Sequence, residues 1–315
     1  MKQLLLASAL FLAACSSGQT MTKEASTADL ALATEVMRAL SADDMEGRLW
    51  GTQANARARA YIAAQAAALN GGLMPEEQAF TRTVTRDGET FEVTGTNLIT
   101  TLPGREPGGP VLEVMAHFDH IGMTEDGEIY NGADDNASGV GALLAILKDF
   151  TQDPPEHDIN VVWLDTEEFG LAGAYEYVAA RVDDRPRVAM NLDMIAQNED
   201  GQIYMSGSHH TPALRPVVEA AADGIPLRLT FGNDRPEDGP DDWSMASDHA
   251  AFHTVGIPFV YLGVADHAHY HKTTDTFETI PLDTYHAAVQ LAVNTARALD
   301  ENLDALARPK AETVP

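Results

Sequence analysis

Four short apolar segments constrain the fold of this chain more than any other feature of its sequence. They lie at residues 111–116, 159–164, 188–192 and 257–262. A short and mostly apolar run of this kind is typical of a strand that is buried on both faces of a sheet. Apolar residues at helical spacing lie between and after these runs, at 137–150, 212–223 and 283–300. The alternation predicts an α/β fold with three layers, in which helices cover both faces of a central mixed, mostly parallel β-sheet.

The residues before the first of these runs predict two helices and a pair of strands. Residues 29–48 and 53–69 have helical patterns, and residues 78–101 alternate polar and apolar side chains as antiparallel strands do. Further along, Asn136 precedes the helical pattern at 137–150 and is a candidate N-cap. Because no repeat or linker interrupts the chain after residue 28, we expect a single domain at 29–305, followed by a disordered tail at 306–315.

The first residues predict export and a lipid anchor. Lys2 is followed by an apolar run at 4–14 that is too short to span a bilayer, which is typical of a signal peptide. The run ends in Leu-Ala-Ala-Cys at Cys15, the single cysteine of the chain, and this tetrapeptide resembles the lipobox of bacterial lipoproteins. The resemblance implies a signal peptide and lipobox at 1–15, a flexible tether at 16–28 and a lipid anchor at Cys15 in the bacterial envelope, in the outer membrane facing the periplasm. A plain signal peptide with an incidental cysteine is the alternative.

The strong negative charge of the chain argues against nucleic acid as a partner. Asp and Glu number 48 against 20 Lys and Arg, which gives a net charge of −28 at pH 7. Such a surface repels phosphate backbones. The hydrophobic fraction of 44% is ordinary for a globular protein with a sizeable core, so the composition predicts neither a disordered nor a fibrous chain.

Acidic residues and histidines follow the ends of the apolar segments, where the carboxyl ends of parallel strands form a crevice for ligands. These candidates are His117, Asp119, Asp134, Asp135, Glu167, Glu168, Asp193 and His271. Each cluster alone also fits a solvated strand end, and the aspartates before residue 137 also fit a helix cap. Together, three carboxylates and two histidines at one sheet edge favour a zinc site, because zinc binds nitrogen and oxygen ligands and leaves room for water or substrate.

The order of the motifs resembles that of a known group of enzymes. The motifs are His-x-Asp, Gly-Ala-Asp-Asp-Asn-Ala-Ser-Gly, Glu-Glu, Leu-Asp-Met and His-x-Thr-x-Asp-Thr. They resemble the co-catalytic dinuclear zinc aminopeptidases of clan MH, which include secreted bacterial leucyl aminopeptidases and share a superfamily with glutaminyl cyclases. The resemblance covers most of residues 40–300 and implies a zinc-exopeptidase, phosphorylase/hydrolase-like fold with two Zn²⁺ ions per chain. It also implies that His117 and Asp193 bind one ion, that Glu168 and His271 bind the other, and that Asp135 bridges them.

The same resemblance implies roles for residues beside the ligands. Glu167 matches the general base, and Asp119 matches the partner that orients the imidazole of His117. Tyr270 is a candidate for polarising the scissile carbonyl, and Asp248 is a candidate for a residue that supports the ligands or caps a helix. The implied reaction is the hydrolysis of N-terminal residues from peptides with free N-termini, by a water that two zinc ions activate.

The sequence leaves two other functions open. A glutaminyl-cyclase-like acyltransferase would share the fold, but those enzymes keep one working zinc, and the intact set of five candidate ligands argues against it. A non-catalytic peptide-binding lipoprotein would not need a general base such as Glu167 beside a metal. The preferred N-terminal residue, the native metal and the oligomeric state cannot be predicted from these patterns.

Overall fold

The structure, a computed structural model, describes residues 27–86, 88–198 and 200–311. The expected signal peptide, Cys15 and most of the expected tether lie outside the described residues, as do residues 312–315. Within the described part of the chain, no helix is both long enough and apolar enough to cross a bilayer.

Eight strands of the described chain form one mixed sheet. In chain order they are β1 (Glu76–Arg86), β2 (Glu89–Leu102), β3 (Val111–His117), β4 (Asp158–Leu164), β5 (Arg187–Leu192), β6 (Gln202–Ser206), β7 (Arg228–Phe231) and β8 (Phe259–Gly263). Their order across the sheet is β1-β2-β4-β3-β5-β8-β6-β7. The central strands β4, β3, β5 and β8 are parallel to one another, whereas β2 and β6 are antiparallel to the central strands they pair with. The sheet therefore confirms the predicted mixed, mostly parallel arrangement.

Helices cover both faces of this sheet. They are α1 (Leu30–Leu40), α2 (Gln53–Leu69), α3 (Gly139–Gln152), α4 (Ala172–Arg181), α5 (Leu214–Ala221), α6 (His249–His253), α7 (Leu282–Glu301) and α8 (Leu303–Leu306). On one face, α1, α2, α3, α5 and α7 pack in an apolar cluster that includes Val114 and Val161 of the sheet. On the other face, α4 and α6 pack against Met115 and Val162. Neighbouring strand residues thus enter opposite clusters, as the two-residue period of a strand requires, and the predicted three layers are confirmed.

The parallel strands bring distant parts of the chain to one edge of the sheet. The strand β3 is buried along its whole length and pairs with β4 on one side and with β5 on the other. In this register His117 is opposite Leu164, and Asn191 of β5 is opposite Tyr261 of β8. The loops that follow β3, β4, β5 and β8 therefore start side by side.

Two predicted boundaries differ from the structure near the amino-terminal helix and around the start of α3. The helix α1 ends at Leu40 with Ser41 as its C-cap, and residues 43–48 form a separate short turn in which Glu46, Gly47 and Arg48 have left-handed φ angles of 45°, 66° and 52°. Before α3, Oδ1 of Asn136 accepts the amide of Gly139 at 3.0 Å. The helical pattern predicted from residue 137 therefore begins as an α-helix at Gly139, and Asn136, three residues before it, accepts the cap-like bond.

The carboxy-terminal segment is ordered further than the sequence predicts. Two backbone hydrogen bonds of 2.8 and 3.1 Å pair Arg308 with Arg187 of β5. The amide of Ala311 also donates to the carbonyl of Val255 at 2.8 Å. The expectation of a disordered tail from residue 306 is therefore wrong for residues 306–311, because these residues add main-chain bonds to the body of the protein.

Candidate metal centre

The five predicted ligands meet at the edge where β3, β4, β5 and β8 end. His117 is the last residue of β3, Asp193 directly follows β5, and Glu168 lies in the loop after β4. Asp135 lies in the loop before α3, and His271 lies in the loop after β8. The side chain of His271 is 40% exposed, whereas those of the other four are 10% exposed or less. The buried strands thus fix the backbone from which these side chains project into one crevice.

The ligand atoms form two groups, and the carboxylate of Asp135 belongs to both. In the first group, Nε2 of His117 lies 3.2 Å from Oδ1 of Asp193 and 3.5 Å from Oδ1 of Asp135. In the second group, Nε2 of His271 lies 3.2 Å from Oδ2 of Asp135 and 3.3 Å from Oε2 of Glu168. The two oxygens of Asp135 therefore face two different imidazoles.

These distances fit two tetrahedral zinc ions. Zinc bonds of about 2 Å place neighbouring ligands of a tetrahedral ion about 3.3 Å apart. The four distances across the two groups lie between 3.2 and 3.5 Å. Burial, together with the neighbouring carboxylate of Glu168, raises the pKa of Asp135, so this cluster of carboxylates is electrostatically incomplete without cations. The nitrogen and oxygen donors present therefore fit zinc.

Glu167 lies beside the first group of ligands. One of its carboxylate oxygens lies within 4.8 Å of ligand atoms of His117 and Asp193. Burial raises the pKa of Glu167 well above its usual range, and the carboxylates of Glu168 and Asp193 raise it further against the opposing effect of His117. A carboxylate with a raised pKa is a stronger base, and cations bound nearby would lower that pKa again.

Asp119 connects two of the loops that carry the site. Its backbone carbonyl lies 3.2 Å from Nδ1 of His117, whereas its carboxylate oxygen Oδ1 lies 3.7 Å from the same nitrogen. The carboxylate accepts the backbone amides of Glu167 at 3.0 Å and of Glu168 at 3.4 Å. In this structure the carbonyl therefore makes the shorter contact with His117, and the carboxylate positions the loop after β4.

The second oxygen of Asp193 is held by a serine. Oγ of Ser247 donates to Oδ2 of Asp193 at 2.6 Å and accepts from Nδ2 of Asn191 at 2.8 Å. This pairing leaves Oδ1 of Asp193 facing His117. The next residue, Asp248, makes no cap hydrogen bond to α6, and neither of its carboxylate oxygens bonds to another described residue. Burial raises the pKa of Asp248 to about 8.

Tyr270 lies directly beside the second group. Its ring stacks on the imidazole of His271 with a centroid distance of 3.9 Å and an interplanar angle of 28°. Burial raises the pKa of Tyr270, and the carboxylates of Asp135 and Asp193 raise it further. The hydroxyl therefore stays protonated at neutral pH and can donate a hydrogen bond.

Asp134, the first aspartate of the adjacent pair, faces away from both groups. Its Oδ1 accepts the amide of Ala196 at 2.7 Å, and its Oδ2 lies 3.1 Å from Nε2 of His267. Behind the pair, the carboxylate of Asp275 accepts the amide of Asp134 at 3.0 Å and that of Asp135 at 3.1 Å. Asp275 thus fixes the loop that carries Asp135, a role that the motif around His271 does not reveal.

Arg48 and His120 also support the site, although the sequence patterns assign neither of them a role. The guanidinium of Arg48 donates to the carbonyls of Phe118 at 2.8 Å and Gly132 at 2.9 Å, which belong to two of the ligand loops. Nδ1 of His120 lies 2.6 Å from Oε1 of Glu168. The available signal for His120 was its place three residues after His117, at the end of a buried strand.

Left-handed backbone recurs next to the ligands. Thr166, Met194 and His271 have φ angles of 64°, 55° and 51°. Such conformations cost non-glycine residues about 1–3 kcal/mol each and persist where the surrounding structure enforces them. The turns at these three residues therefore direct the candidate ligands towards one another and lower the local stability.

Comparison with known proteins links these motifs to one family. The sequence pattern of peptidase family M28 matches residues 97–296, a segment that contains all five predicted ligands. Aminopeptidase YwaD of Bacillus subtilis is 27% identical over 162 residues, which are 47% of this chain and 30% of that protein. The alkaline phosphatase isozyme conversion protein of Escherichia coli is 29% identical over 146 residues, which are 42% of this chain and 41% of that protein. The chain thus spans less than half the length of these curated relatives.

Solved structures share the fold over nearly their whole length. A leucine aminopeptidase precursor from Bacteroides thetaiotaomicron has a TM-score of 0.67 and 18% identity, with 87% of this chain and 98% of that chain covered. A zinc aminopeptidase from Bacillus subtilis has a TM-score of 0.68 and 16% identity, with 93% and 100% covered. The glutaminyl cyclase of Porphyromonas gingivalis has a TM-score of 0.68 and 19% identity, with 87% and 99% covered. At these identities the likeness establishes the fold.

Proposed function

The chain belongs to peptidase family M28, and on that premise we propose that it is a zinc-dependent aminopeptidase that hydrolyses N-terminal residues from peptides. One observation carries the proposal. The two oxygens of Asp135 lie 3.5 and 3.2 Å from the imidazoles of His117 and His271, which belong to separate groups of ligand atoms. A carboxylate shared in this way would hold two metal ions close enough to act together on one substrate. We therefore propose two zinc ions per chain.

The ligands divide evenly between the two ions. His117, Asp193 and Oδ1 of Asp135 would hold one, and Glu168, His271 and Oδ2 of Asp135 would hold the other. Zinc bound at such a site supplies Lewis acidity, which lowers the pKa of water from about 15.7 to about 7 and polarises a carbonyl oxygen. Three protein ligands per ion leave a coordination position for water or substrate, as catalytic zinc sites do.

Glu167 moves the proton in this proposal. Its carboxylate takes a proton from the attacking water and later delivers a proton to the leaving amine. The amide of Glu167 is held by the carboxylate of Asp119 at 3.0 Å, so the backbone that carries the base is fixed relative to His117. Its carboxylate lies within 4.8 Å of ligand atoms of His117 and Asp193, so it is close enough to reach a water held beside them.

Tyr270 and the acidic surroundings position the substrate. The protonated hydroxyl of Tyr270 donates a hydrogen bond to the carbonyl oxygen as negative charge develops there. A free N-terminal amine is cationic, so the carboxylates of the site attract peptides that have one. The proposed substrates are therefore peptides with free N-termini.

Substitution of the base tests this mechanism. In Glu167→Gln we expect the turnover of an aminoacyl chromogenic substrate to fall by about 10²-fold or more, with zinc still bound, because the amide cannot accept the proton. Glu35→Gln, which makes the same change at an exposed position of α1, should leave turnover unchanged. Near wild-type turnover in zinc-loaded Glu167→Gln would refute the role of Glu167.

A chelator and a second assay separate the alternative functions. An aminopeptidase loses activity with a chelator and regains it with zinc, whereas a protein that only binds peptides has no turnover in either condition. A glutaminyl-cyclase-like enzyme would release pyroglutamyl peptide from an N-terminal glutaminyl substrate instead of a free amino acid. Pyroglutamate formation without peptide hydrolysis would therefore replace the proposed function with acyl transfer.

A further inference from the structure

His120 contacts the carboxylate of Glu168 from inside the protein. Its side chain is fully buried, and Nδ1 lies 2.6 Å from Oε1 of Glu168. The same nitrogen lies 3.8 Å from Oδ2 of Asp135. One ligand atom from each of these three residues falls within 4.8 Å of the others, so His120 is close enough to be either a ligand of the second ion or a hydrogen-bond partner of a ligand.

The distance to Glu168 separates these two roles. Two ligands of one tetrahedral zinc ion lie about 3.3 Å apart, as the other nitrogen–oxygen pairs of the site do. At 2.6 Å, Nδ1 of His120 is too close to Oε1 of Glu168 for that geometry. The distance is instead that of a short, charge-assisted hydrogen bond in which Nδ1–H donates to the carboxylate.

The other ring nitrogen supports the same assignment. Nε2 of His120 is buried and has no hydrogen-bond partner among the described residues. A proton on Nε2 would be a buried donor without an acceptor, which is costly, whereas a bare nitrogen there costs less. The ring therefore carries its proton on Nδ1, where Glu168 accepts it.

The ring of His120 is held in place by close packing. A Cβ added to Gly132, whose φ angle is 58°, would lie 2.5 Å from Cδ2 of His120 and 2.7 Å from Nη2 of Arg48. The glycine thus allows the imidazole and the guanidinium to approach the loop that carries Asp135. Because the ring cannot rotate freely in this space, its hydrogen bond fixes the direction of the Glu168 carboxylate.

We propose that His120 is a positioning residue for the second metal ion, acting by binding Oε1 of Glu168 so that Oε2 points at the ion beside His271. The inference rests on the proposed function, because it assumes that Glu168 is a metal ligand. Oε2 already lies 3.3 Å from Nε2 of His271, while Oε1 is occupied by His120. The hydrogen bond therefore makes Glu168 a one-oxygen ligand and adds to the affinity of the second ion but not of the first.

Three substitutions of one residue test the proposal. His120→Asn places an amide N–H close to the position of Nδ1, His120→Gln places it close to the position of Nε2, and His120→Ala removes the donor. Each is made in an Asp193→Ala background, which retains the second ion's ligands, and in a His271→Ala background, which retains those of the first ion. Zinc-free protein is titrated with Zn²⁺ in competition with a chromogenic chelator, and circular dichroism checks that each variant is folded.

We expect the substitutions to weaken zinc binding only at the second ion, and only where the N–H donor to Glu168 is missing or misplaced. In the Asp193→Ala background, His120→Ala and His120→Gln should bind zinc about 10–100-fold more weakly, the usual effect of losing a partner of a metal ligand, and His120→Asn should bind within a few-fold of the parent. In the His271→Ala background all three should bind as their parent does. If His120→Ala does not fold, the comparison of His120→Asn with His120→Gln tests the proposal by itself.

Other outcomes overturn the proposal in distinguishable ways. Equal weakening by Asn and Ala would show that His120 is a ligand, because an amide nitrogen does not replace an imidazole on zinc. Equal effects in both backgrounds would show a general structural role, and unchanged affinities throughout would show no role. If the unsubstituted chain binds no zinc, both the proposed function and this inference are wrong. If it binds two zinc ions and the His120 substitutions do not change the affinity, only the inference is wrong.

Discussion

Arg48 shows how a single buried side chain can connect the segments that carry a site. Its guanidinium is fully buried and donates to the carbonyls of Leu40, Phe118, Asn131 and Gly132 at 2.6, 2.8, 2.7 and 2.9 Å. These carbonyls belong to the end of α1, to the loop after β3 and to the loop before α3. Burial lowers the pKa of Arg48 to about 10, so the group is still charged at neutral pH.

Replacing this arginine by lysine should destabilise the protein strongly. Lysine has three donors on one nitrogen and cannot reach carbonyls that surround a planar fork. We expect Arg48→Lys to lower the free energy of unfolding of the zinc-free protein by about 3 kcal/mol or more, since each buried acceptor left without a partner costs about 1–3 kcal/mol. Urea denaturation measures the change.

Arg57 provides the matched control for Arg48. It also donates to a backbone carbonyl, that of Asp44, at 2.6 and 3.1 Å, but from an exposed position. Arg57→Lys should therefore change the free energy of unfolding by no more than about 0.5 kcal/mol. Similar effects of the two substitutions would show that burial and the number of acceptors do not set the importance of Arg48.

At the scale of single residues, the sequence could predict the candidate ligands that meet at the sheet edge, but not the residues that hold their loops in place. His117, Glu168 and Asp193 each follow a buried apolar strand, so the sequence shows both the residue type and the place in the sheet. Arg48 and Asp275 instead bind main-chain groups 70 and 141 residues away. Every residue offers such groups, so no sequence pattern distinguishes the partners, and only the folded chain reveals them.

The short helix α6 contains a buried histidine whose protonation opposes folding. His249 donates from Nε2 to the carbonyl of Trp243 at 2.8 Å, and its ring stacks on Phe259 at 4.7 Å. Nδ1 lies 3.4 Å from the side-chain amide of Asn191, which can donate to it. Burial lowers the pKa of His249 to about 4, so the imidazole is neutral in the folded protein at neutral pH.

This histidine makes the stability of the protein depend on pH in the acid range. The unfolded chain has a histidine pKa of about 6.5, so between about pH 6.5 and pH 4 it binds more protons than the folded chain does. The stability is therefore fully present above about pH 6.5 and falls as the pH falls towards 4, by about 3 kcal/mol from this group. In His249→Gln, which keeps a donor near the position of Nε2, we expect this part of the acid destabilisation to be missing.

Urea denaturation of the zinc-free proteins across this pH range measures the difference between wild type and His249→Gln. The difference cancels contributions of carboxylates that both proteins share. Parallel curves for the two proteins would contradict the prediction, because they would mean that His249 binds its proton equally well in the folded and unfolded states.

At the scale of elements, the buried strands and the long pair β1 and β2 could be predicted, whereas β7 and α6 could not. The strands β3 and β5 are buried throughout and are mostly apolar, and the buried charges of Glu113 and Arg187 within them pair with each other. The edge strand β7 has no fully buried residue, and α6 is only five residues long. Both elements are too short to show a hydrophobic periodicity in the sequence. A four-residue strand and a single helical turn are stabilised by the residues they pack against rather than by their own sequence pattern.

At the scale of the whole molecule, the site depends on an order of strands that the sequence does not contain. The strands that carry His117, Asp193 and His271 are adjacent only because β3, β5 and β8 are neighbours in the sheet. The carboxyl-end rule for parallel strands predicts a common edge, but it does not predict which strands are neighbours. The family motifs supplied the missing information, and the fold brings these motifs together.

Because these carboxylates lie close together, the stability of the whole protein should depend on bound metal. Burial and the carboxylate of Glu168 raise the pKa of Asp135 in the metal-free protein, which reflects repulsion that two divalent cations would remove. An ion present at about 100 times its dissociation constant stabilises the folded state by about 2.7 kcal/mol, so two ions would contribute about 5 kcal/mol. For a chain of this size that corresponds to a rise in melting temperature of about 10 °C or more.

Thermal unfolding with a chelator and with excess zinc tests this coupling. We expect the wild-type protein to melt about 10 °C lower in the chelator. In Asp135→Asn the zinc-dependent shift should be less than half as large, because the bridging carboxylate contributes an oxygen to both groups of ligands. The metal-free Asp135→Asn protein should also be at least as stable as the metal-free wild type, since the substitution removes a carboxylate that is costly to bury. Coincident melting curves for the wild type with and without zinc would mean that the residues at the strand ends do not act together as a metal site.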